Sequence, residues 1–161
     1  MAQHSTSGKR RALIVEDEFL IAVDLETILR GLGFDVCGLA SNPSEAISLA
    51  TSNRPDVVLM DVYLDEGCQG IKAARWLREA CEIPVLFVTA HNDGPTVGRI
   101  RKLVPGAPVL PKPVTREGLA DPMAVTILSR DPDPRTAIMQ ARVSEAVHPR
   151  ECRPCQHLIV S

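Results

Sequence analysis

The hydrophobic positions of the chain alternate between short continuous apolar runs and longer stretches with a helical period. Residues 11–15 form an apolar run followed at once by an acidic triplet at 16–18, which is typical of a buried strand ending at a polar edge. Apolar side chains then recur every three or four residues up to Gly33, which favours a helix end. This stripe consists of Ile21, Leu25, Ile28, Leu29 and Leu32. The region therefore predicts a strand followed by a helix.

The same alternation continues downstream. Further strands are predicted at 34–39, 56–60, 84–88 and 109–110. Further helices are predicted from Asn42 and Pro43 to about residue 51, over 70–81, over 97–103, and over 123–129 with Asp121 and Pro122 at the start. Gly94 and Pro95 are expected to interrupt and weaken the fourth helix.

Strands that are apolar throughout and alternate with helices predict a parallel sheet covered on both faces. The expected fold class is therefore α/β, a doubly wound five-stranded parallel sheet. We expect one domain over 11–129, a disordered N-terminus over 1–10, and a poorly ordered tail over 130–161 with a helical stretch at 135–147. In such sheets ligands bind where the carboxyl ends of the strands meet.

Composition narrows the possible functions. The 161 residues carry a net charge of -2, have no long basic run and contain 3% aromatic residues, so nucleic acid and anionic membranes are not expected partners. The sequence has neither an apolar stretch of the roughly 18 residues that a membrane span needs nor a secretory signal, which predicts a cytoplasmic protein. The cysteines are five in number and scattered, which predicts reduced thiols.

Polar side chains follow the predicted strands and should converge on one edge of the sheet. Glu16 and Asp17 follow the first strand, Asp61 the third, Thr89 the fourth and Lys112 the fifth. Three clustered carboxylates without compensation would raise one another's pKa values, so this edge calls for a hard divalent cation with oxygen ligands. Mg²⁺ is the natural candidate.

With a metal bound, this edge is suited to phosphoryl transfer, which needs a nucleophile and charge neutralisation from the protein. Asp61 is the candidate nucleophile, and Mg²⁺ would link it to Glu16 and Asp17. The Thr89 hydroxyl and the Lys112 ammonium would take two phosphoryl oxygens.

The segments at 15–18, 59–62, 88–90 and 111–113 resemble, in order and spacing, the receiver domain of two-component response regulators. The resemblance covers 11–113 and extends to 129. It implies a flavodoxin-like fold, Asp61 as phosphoacceptor, Thr89 and Lys112 as sensors of the phosphoryl group, and a cis peptide bond before Pro113. It also implies Mg²⁺ bound by Glu16, Asp17, Asp61 and the backbone carbonyl of Tyr63.

The resemblance further implies the partners. A sensor histidine kinase or a histidine phosphotransfer protein would donate the phosphoryl group, and signalling would proceed by contact with an unidentified downstream protein. The chain would not be an enzyme beyond its own phosphorylation and dephosphorylation at Asp61.

The chain departs from the family pattern at several positions. Glu16 replaces the commoner Asp, and Val109 stands where many receivers carry a switching aromatic residue. The loop at 65–68 lacks the usual proline-bearing turn, and the fourth helix is weakened. These features are similar to a divergent group of single-domain receivers, in which activation would order the fourth-helix segment.

Three alternatives remain open. A dehalogenase-like Mg²⁺-dependent phosphohydrolase also uses an Asp nucleophile, although its motif resembles Asp-x-Asp and Asp61 is followed by Val62 and Tyr63. A flavodoxin-like cofactor binder would need a phosphate loop where the acidic triplet at 16–18 stands. A degenerate receiver would act as an adaptor without phosphorylation.

Other candidate residues receive ordinary structural interpretations. We interpret His91 as an exposed loop histidine and Trp76 as a surface or interface aromatic residue. In the tail, His148, Cys152, Cys155 and His157 could bind zinc, but disorder is the preferred interpretation because no apolar residues are placed to fold around a metal.

Overall fold

The structure of the chain is a computed structural model that describes residues 8–64 and 67–128. Strands and helices alternate along this part of the chain, and five of each are present. They are β1 (Arg11–Val15), α1 (Phe19–Gly31), β2 (Asp35–Ala40), α2 (Pro43–Asn53), β3 (Val57–Met60), α3 (Gln69–Cys81), β4 (Val85–Thr89), α4 (Gly94–Leu103), β5 (Val109–Pro111) and α5 (Arg116–Leu128).

The five strands form one parallel sheet in the order β2-β1-β3-β4-β5. Val15 at the end of β1 pairs with Ala40 on one side and with Met60 on the other. The strand order reverses between β1 and β3, and ligands of doubly wound sheets bind at such a point. The predicted fold class is confirmed, and the ends of β1 and β3 flank the place where chemistry is expected.

Successive strand residues point to opposite sides of the sheet, which therefore has two apolar faces. Helices cover both of them. Leu13 and Val15 belong to a core cluster that includes residues of α2, α3 and α4. Ala12 and Ile14 belong to a second cluster that includes residues of α1 and α5. The two clusters explain why the strand residues that face the helices are apolar.

The ends of the first two helices agree with the predicted signals. Gly33 follows the end of α1 with φ +90°, a conformation that favours glycine. Asn42 caps α2, since its Oδ1 accepts the backbone N–H of Glu45 at 2.9 Å, and Pro43 lies in the first turn. The capped helix runs to Asn53, two residues beyond the predicted end.

Helix α4 begins three residues before its predicted start. The Asp93 side chain caps it by accepting the backbone N–H of Thr96 at 2.9 Å. Pro95 lies in the first turn, where a helix does not use the backbone N–H that proline lacks. At 10 residues α4 is still the shortest of the five helices described.

The predicted start of the fifth helix at Asp121 and Pro122 is wrong, because α5 begins at Arg116. Thr115 supplies the cap, since its Oγ1 accepts the backbone N–H of Gly118 at 3.0 Å. Pro122 therefore lies inside the helix. The sequence prediction took Pro122 as a start signal although a capping Thr stands upstream.

Several predictions fall on residues that the structure does not describe. These are the disorder of residues 1–7, the whole interpretation of the tail from 130 with its helical stretch, and the zinc ligands His148, Cys152, Cys155 and His157. Of the loop at 65–68, only Gly67 and Cys68 are described. The limits of the predicted domain remain a prediction.

The described cysteines and helices bear on two further expectations. Cys37, Cys68 and Cys81 are free cysteines, as predicted. None of the helices described has the length and apolar character needed to cross a membrane.

Candidate functional site

The parallel pairing of the strands continues one residue beyond β1 and β3 and thereby fixes the backbone of the site. The Glu16 N–H donates to the Ala40 carbonyl at 2.9 Å, and the Asp61 N–H donates to the Val15 carbonyl at 2.9 Å. These bonds hold Glu16 and Asp61 side by side at the carboxyl edge of the sheet, as the sequence predicted.

Glu16, Asp17 and Asp61 form a carboxylate cluster. Each offers one oxygen atom, and the three oxygens lie within 4.8 Å of one another. Glu16 and Asp61 are buried, whereas Asp17 is exposed. The cluster therefore opens to solvent on the Asp17 side.

Lys112 extends from the end of β5 into this cluster. Its Nζ lies 2.5 Å from Glu16 Oε2 and 2.7 Å from Asp61 Oδ2. The Lys112 backbone is held by its N–H, which donates to the Thr89 carbonyl at 3.0 Å, and its bond to Pro113 is cis, as predicted. Burial lowers the pKa of Lys112, but the ion pairs with Asp61 and Glu16 outweigh burial and raise this pKa above its usual value. The ammonium is therefore charged at neutral pH.

Glu16 is the most deeply buried of the three carboxylates. Its Oε1 accepts the backbone N–H of Glu18 at 3.2 Å. Its Oε2 is buried, and the Lys112 ammonium 2.5 Å away is its charge partner. Burial raises the pKa of Glu16 above its usual value, although the neighbouring Lys112 opposes this shift. An additional cation beside Oε2 would compensate for this burial.

Thr89 lies at the end of β4 and is fully buried. Its Oγ1 accepts the backbone N–H of His91 at 3.1 Å. A hydroxyl that accepts one hydrogen bond can still donate its own hydrogen. The next residue, Ala90, is exposed and adds little bulk at the entrance.

Tyr63 links the segment after Asp61 to the segment after Thr89. Its backbone N–H donates to Asp61 Oδ1 at 3.3 Å. Its ring lies against the His91 ring, with the centroids 4.3 Å apart and the planes tilted by 53°. His91 is exposed as predicted, whereas its contact with Tyr63 was not expected from the sequence.

Gly70 is a site residue that the sequence prediction missed. A Cβ atom at Gly70 would lie 1.8 Å from the Asp61 carbonyl oxygen, a distance that no side chain tolerates. The Gly70 N–H donates to the Val62 carbonyl at 3.0 Å, so the first turn of α3 packs directly onto the backbone that follows β3. The available signal was a glycine at the start of an otherwise amphipathic helix.

The remaining predicted residues lie apart from this cluster. Val109 lies on β5 and is half-buried, so no aromatic side chain is available at that position. Trp76 is 42% exposed on α3, which agrees with a surface aromatic residue.

The site thus combines three carboxylates, one ammonium and one hydroxyl at the same edge of a parallel sheet. A family model for the response regulator receiver domain matches residues 12–124. The chain belongs to this family of two-component signalling proteins, as its motifs predicted.

Named relatives and solved structures give the same assignment. The chain is 45% identical over 82 residues to the phyllosphere-induced regulator PhyR of Methylorubrum extorquens, covering 50% of this chain and 31% of that protein. It is 39% identical over 92 residues to the transcriptional regulatory protein PdtaR of Mycobacterium tuberculosis, covering 57% of this chain and 44% of that protein. The signal receiver domain of a modulated diguanylate cyclase from Desulfovibrio desulfuricans is 34% identical with a TM-score of 0.69, covering 76% of this chain and 96% of that one.

The family assignment supports general statements about this chain. Receiver domains bind Mg²⁺ at an acidic pocket, interact with kinases or phosphotransfer proteins, and are generally not catalytic enzymes. The cluster of Glu16, Asp17 and Asp61 has the oxygen donors that such a pocket requires. The chain spans less than half the length of PhyR and PdtaR, 31% and 44% respectively.

Proposed function

We propose that this chain accepts a phosphoryl group on Asp61 from a phosphohistidine of a sensor histidine kinase or a phosphotransfer protein. The single observation that carries the proposal is the position of Lys112, whose Nζ lies 2.7 Å from Asp61 Oδ2 and 2.5 Å from Glu16 Oε2. An ammonium at this place can neutralise an anionic group that arrives at Asp61.

Glu16, Asp17, Asp61 and the backbone carbonyl of Tyr63 would hold Mg²⁺, which supplies positive charge for the equatorial oxygens of the transferred group. The three carboxylate oxygens within 4.8 Å of one another support this assignment. The opening on the Asp17 side is where the donor would approach.

The transfer itself requires only the protein's own nucleophile. A carboxylate oxygen of Asp61 attacks phosphorus, the phosphorus–nitrogen bond of the donor breaks, and the leaving imidazole nitrogen takes up a proton. The product is an acyl phosphate on Asp61. Lys112 Nζ and the Thr89 hydroxyl donate to its oxygens, while Thr89 keeps the His91 N–H as donor.

The signal would then pass by protein–protein contact, and the hydrogen bond from the His91 N–H to Thr89 Oγ1 connects Thr89 to the segment that precedes α4. The names of the relatives describe a regulator and a transcriptional regulatory protein. A regulatory role in the cytoplasm is therefore our proposal for this chain as well, with the downstream partner unidentified.

Incubation with Mg²⁺ and acetyl phosphate, followed by intact-mass measurement, tests this proposal. We expect one added phosphoryl group on the wild-type chain, retained in Asp24→Asn on α1 and lost in Asp61→Asn or when a chelator removes the metal. An unmodified wild-type chain that still binds Mg²⁺ would favour the phosphorylation-independent adaptor. Release of free phosphate from general phosphomonoesters would favour the phosphohydrolase.

A further inference from the structure

Basic residues are concentrated on two of the five helices. Helices α3 and α4 carry six basic residues and one acidic residue, whereas α1, α2 and α5 each carry one more acidic than basic residue. The basic residues are Lys72, Arg75, Arg78, Arg99, Arg101 and Lys102. Because the whole chain has a net charge of -2, these two helices form a local positive region on an otherwise acidic protein.

A groove lies within this positive region. It has a volume of about 230 Å³ and combines basic and apolar side chains. Its lining residues are Arg75, Arg78 and Glu79 of α3 together with Leu103, Val104 and Pro105 at the end of α4. We call it the α3–α4 groove.

The two guanidinium groups of the groove are oriented by contacts within the fold. Arg78 Nη1 donates to the Pro105 carbonyl at 2.6 Å, and Arg75 Nε donates to Glu79 Oε1 at 2.8 Å. A guanidinium has five N–H donors, so each of these residues retains donors for a ligand. Arg101 and Lys102 precede Leu103 in the last turn of α4, and neither forms an ion pair among the described residues.

The groove is remote from the phosphoacceptor site. Asp61 lies at the carboxyl edge of the sheet, and helices that connect parallel strands run back toward the opposite edge. The groove is built from the second half of α3 and the end of α4, near that opposite edge. A molecule bound there would leave the approach to Asp61 free.

We propose that the α3–α4 groove binds an acidic, partly apolar segment of a partner protein, independently of phosphorylation. Carboxylates match guanidinium donors in bidentate geometry, and an apolar side chain matches the surface of Leu103 and Pro105. A nucleic acid would need a longer basic track, and the acidic charge of the other helices would repel its phosphates. A second, constitutive docking surface would allow the chain to hold one partner while it exchanges phosphoryl groups with another.

The test measures binding of a short fluorescent peptide that alternates glutamate and leucine, using the full chain and fluorescence anisotropy. We expect binding that weakens with added salt and is lost when glutamine replaces glutamate in the peptide. Arg75→Glu should weaken binding about tenfold, and Lys102→Glu should also weaken it.

The matched control is Arg30→Glu on α1. Arg30 also pairs with a Glu four residues away, and its side chain is 55% exposed against 52% for Arg75. Arg30→Glu and Asp61→Asn should both bind the peptide like the wild type. Equal loss in Arg75→Glu and Arg30→Glu would overturn the proposal, because binding would then follow net charge alone. Binding of a DNA duplex or of phosphatidylserine vesicles in preference to the peptide would also overturn it.

Discussion

Lys112 Nζ and Asp61 Oδ2 lie 2.7 Å apart across the carboxyl edge of the sheet, although 51 residues separate them in the sequence. The same ammonium also contacts Glu16, so one cation compensates two buried carboxylates. This arrangement sets both the stability of the site without metal and its capacity to receive an anionic group.

Removal of the Lys112 ammonium should destabilise the metal-free protein. Lys112→Met leaves Asp61 and Glu16 buried without a partner cation, and we expect the free energy of unfolding to fall by about 2 kcal/mol. Urea unfolding in the presence of a chelator measures this change. Lys72→Met on α3 is the control, because Lys72 is exposed, and its effect should stay within about 0.5 kcal/mol.

Addition of Mg²⁺ should stabilise Lys112→Met more than the wild type, because a divalent cation would replace the missing ammonium between the carboxylates. An equal increase in the free energy of unfolding of both proteins would show that the metal does not bind beside the Lys112 ammonium.

Neutralisation of Glu16 should change the stability of the metal-free protein in a pH-dependent way. Burial raises the pKa of Glu16 in the folded state, so the folded protein binds this proton more tightly than the unfolded chain does. Stability from this group is therefore lost as the pH rises above 4.5, the ordinary value for Glu. Glu16→Gln should be more stable than the wild type at neutral pH in chelator, and the difference should vanish at acidic pH.

Urea unfolding at several pH values provides the measurement for Glu16→Gln. Saturating Mg²⁺ serves as the control, because the wild-type carboxylate would then be paired with the metal and the advantage of Gln should disappear. A wild type that exceeds Glu16→Gln in stability at neutral pH without metal would contradict this account of Glu16.

The contact between Gly70 and the Asp61 backbone should not tolerate a methyl group. In Gly70→Ala the new Cβ would meet the Asp61 carbonyl oxygen at 1.8 Å, so the start of α3 must move. We expect a loss of about 2 kcal/mol in the free energy of unfolding and slower phosphorylation. Gly98→Ala is the matched control, because Gly98 lies inside α4 with no atom within 4 Å of its built Cβ.

The free energy of unfolding of Gly98→Ala should rise by about 0.5 to 1 kcal/mol, because Ala has a higher helix propensity than Gly. The free energies of unfolding of the two variants should therefore change in opposite directions, and phosphorylation should slow only in Gly70→Ala. Two similar losses would indicate that the close approach of Gly70 to Asp61 has no special role.

The start of α5 can be tested with two single substitutions. Thr115→Ala removes the oxygen that accepts the Gly118 N–H, and we expect the free energy of unfolding to fall by about 1 kcal/mol. Asp121→Ala changes an exposed residue inside the helix, and the free energy of unfolding should change by no more than about 0.5 kcal/mol. The reverse order of effects in thermal unfolding would restore the predicted start at Asp121.

Much of this fold was predictable because local signals and tertiary packing agree. The continuous apolar strands give a sheet covered on both faces, and the Asn42 cap sets the start of α2 where the sequence placed it. The start of α5 was not predictable from Pro122, because a proline after an acidic residue resembles a helix start. The structure shows that the helix already begins at Arg116, after the Thr115 cap.

For the site, the sequence predicts which residues lie together but not the contacts that the loops make. The residues after the strands could be placed at one edge from topology alone, which brought Glu16, Asp61 and Lys112 together. The close approach of Gly70 and the contact of Tyr63 with His91 depend on the exact paths of two loops, which periodicity does not specify.

The position of the phosphoryl group decides whether Asp61 is the phosphoacceptor. Treatment of the phosphorylated protein with borohydride reduces an aspartyl phosphate to homoserine, and peptide mass spectrometry then identifies the modified position. We predict homoserine at position 61 alone, dependent on Mg²⁺. Modification at Glu16, at Asp17 or on a histidine, with residue 61 unchanged, would contradict the account.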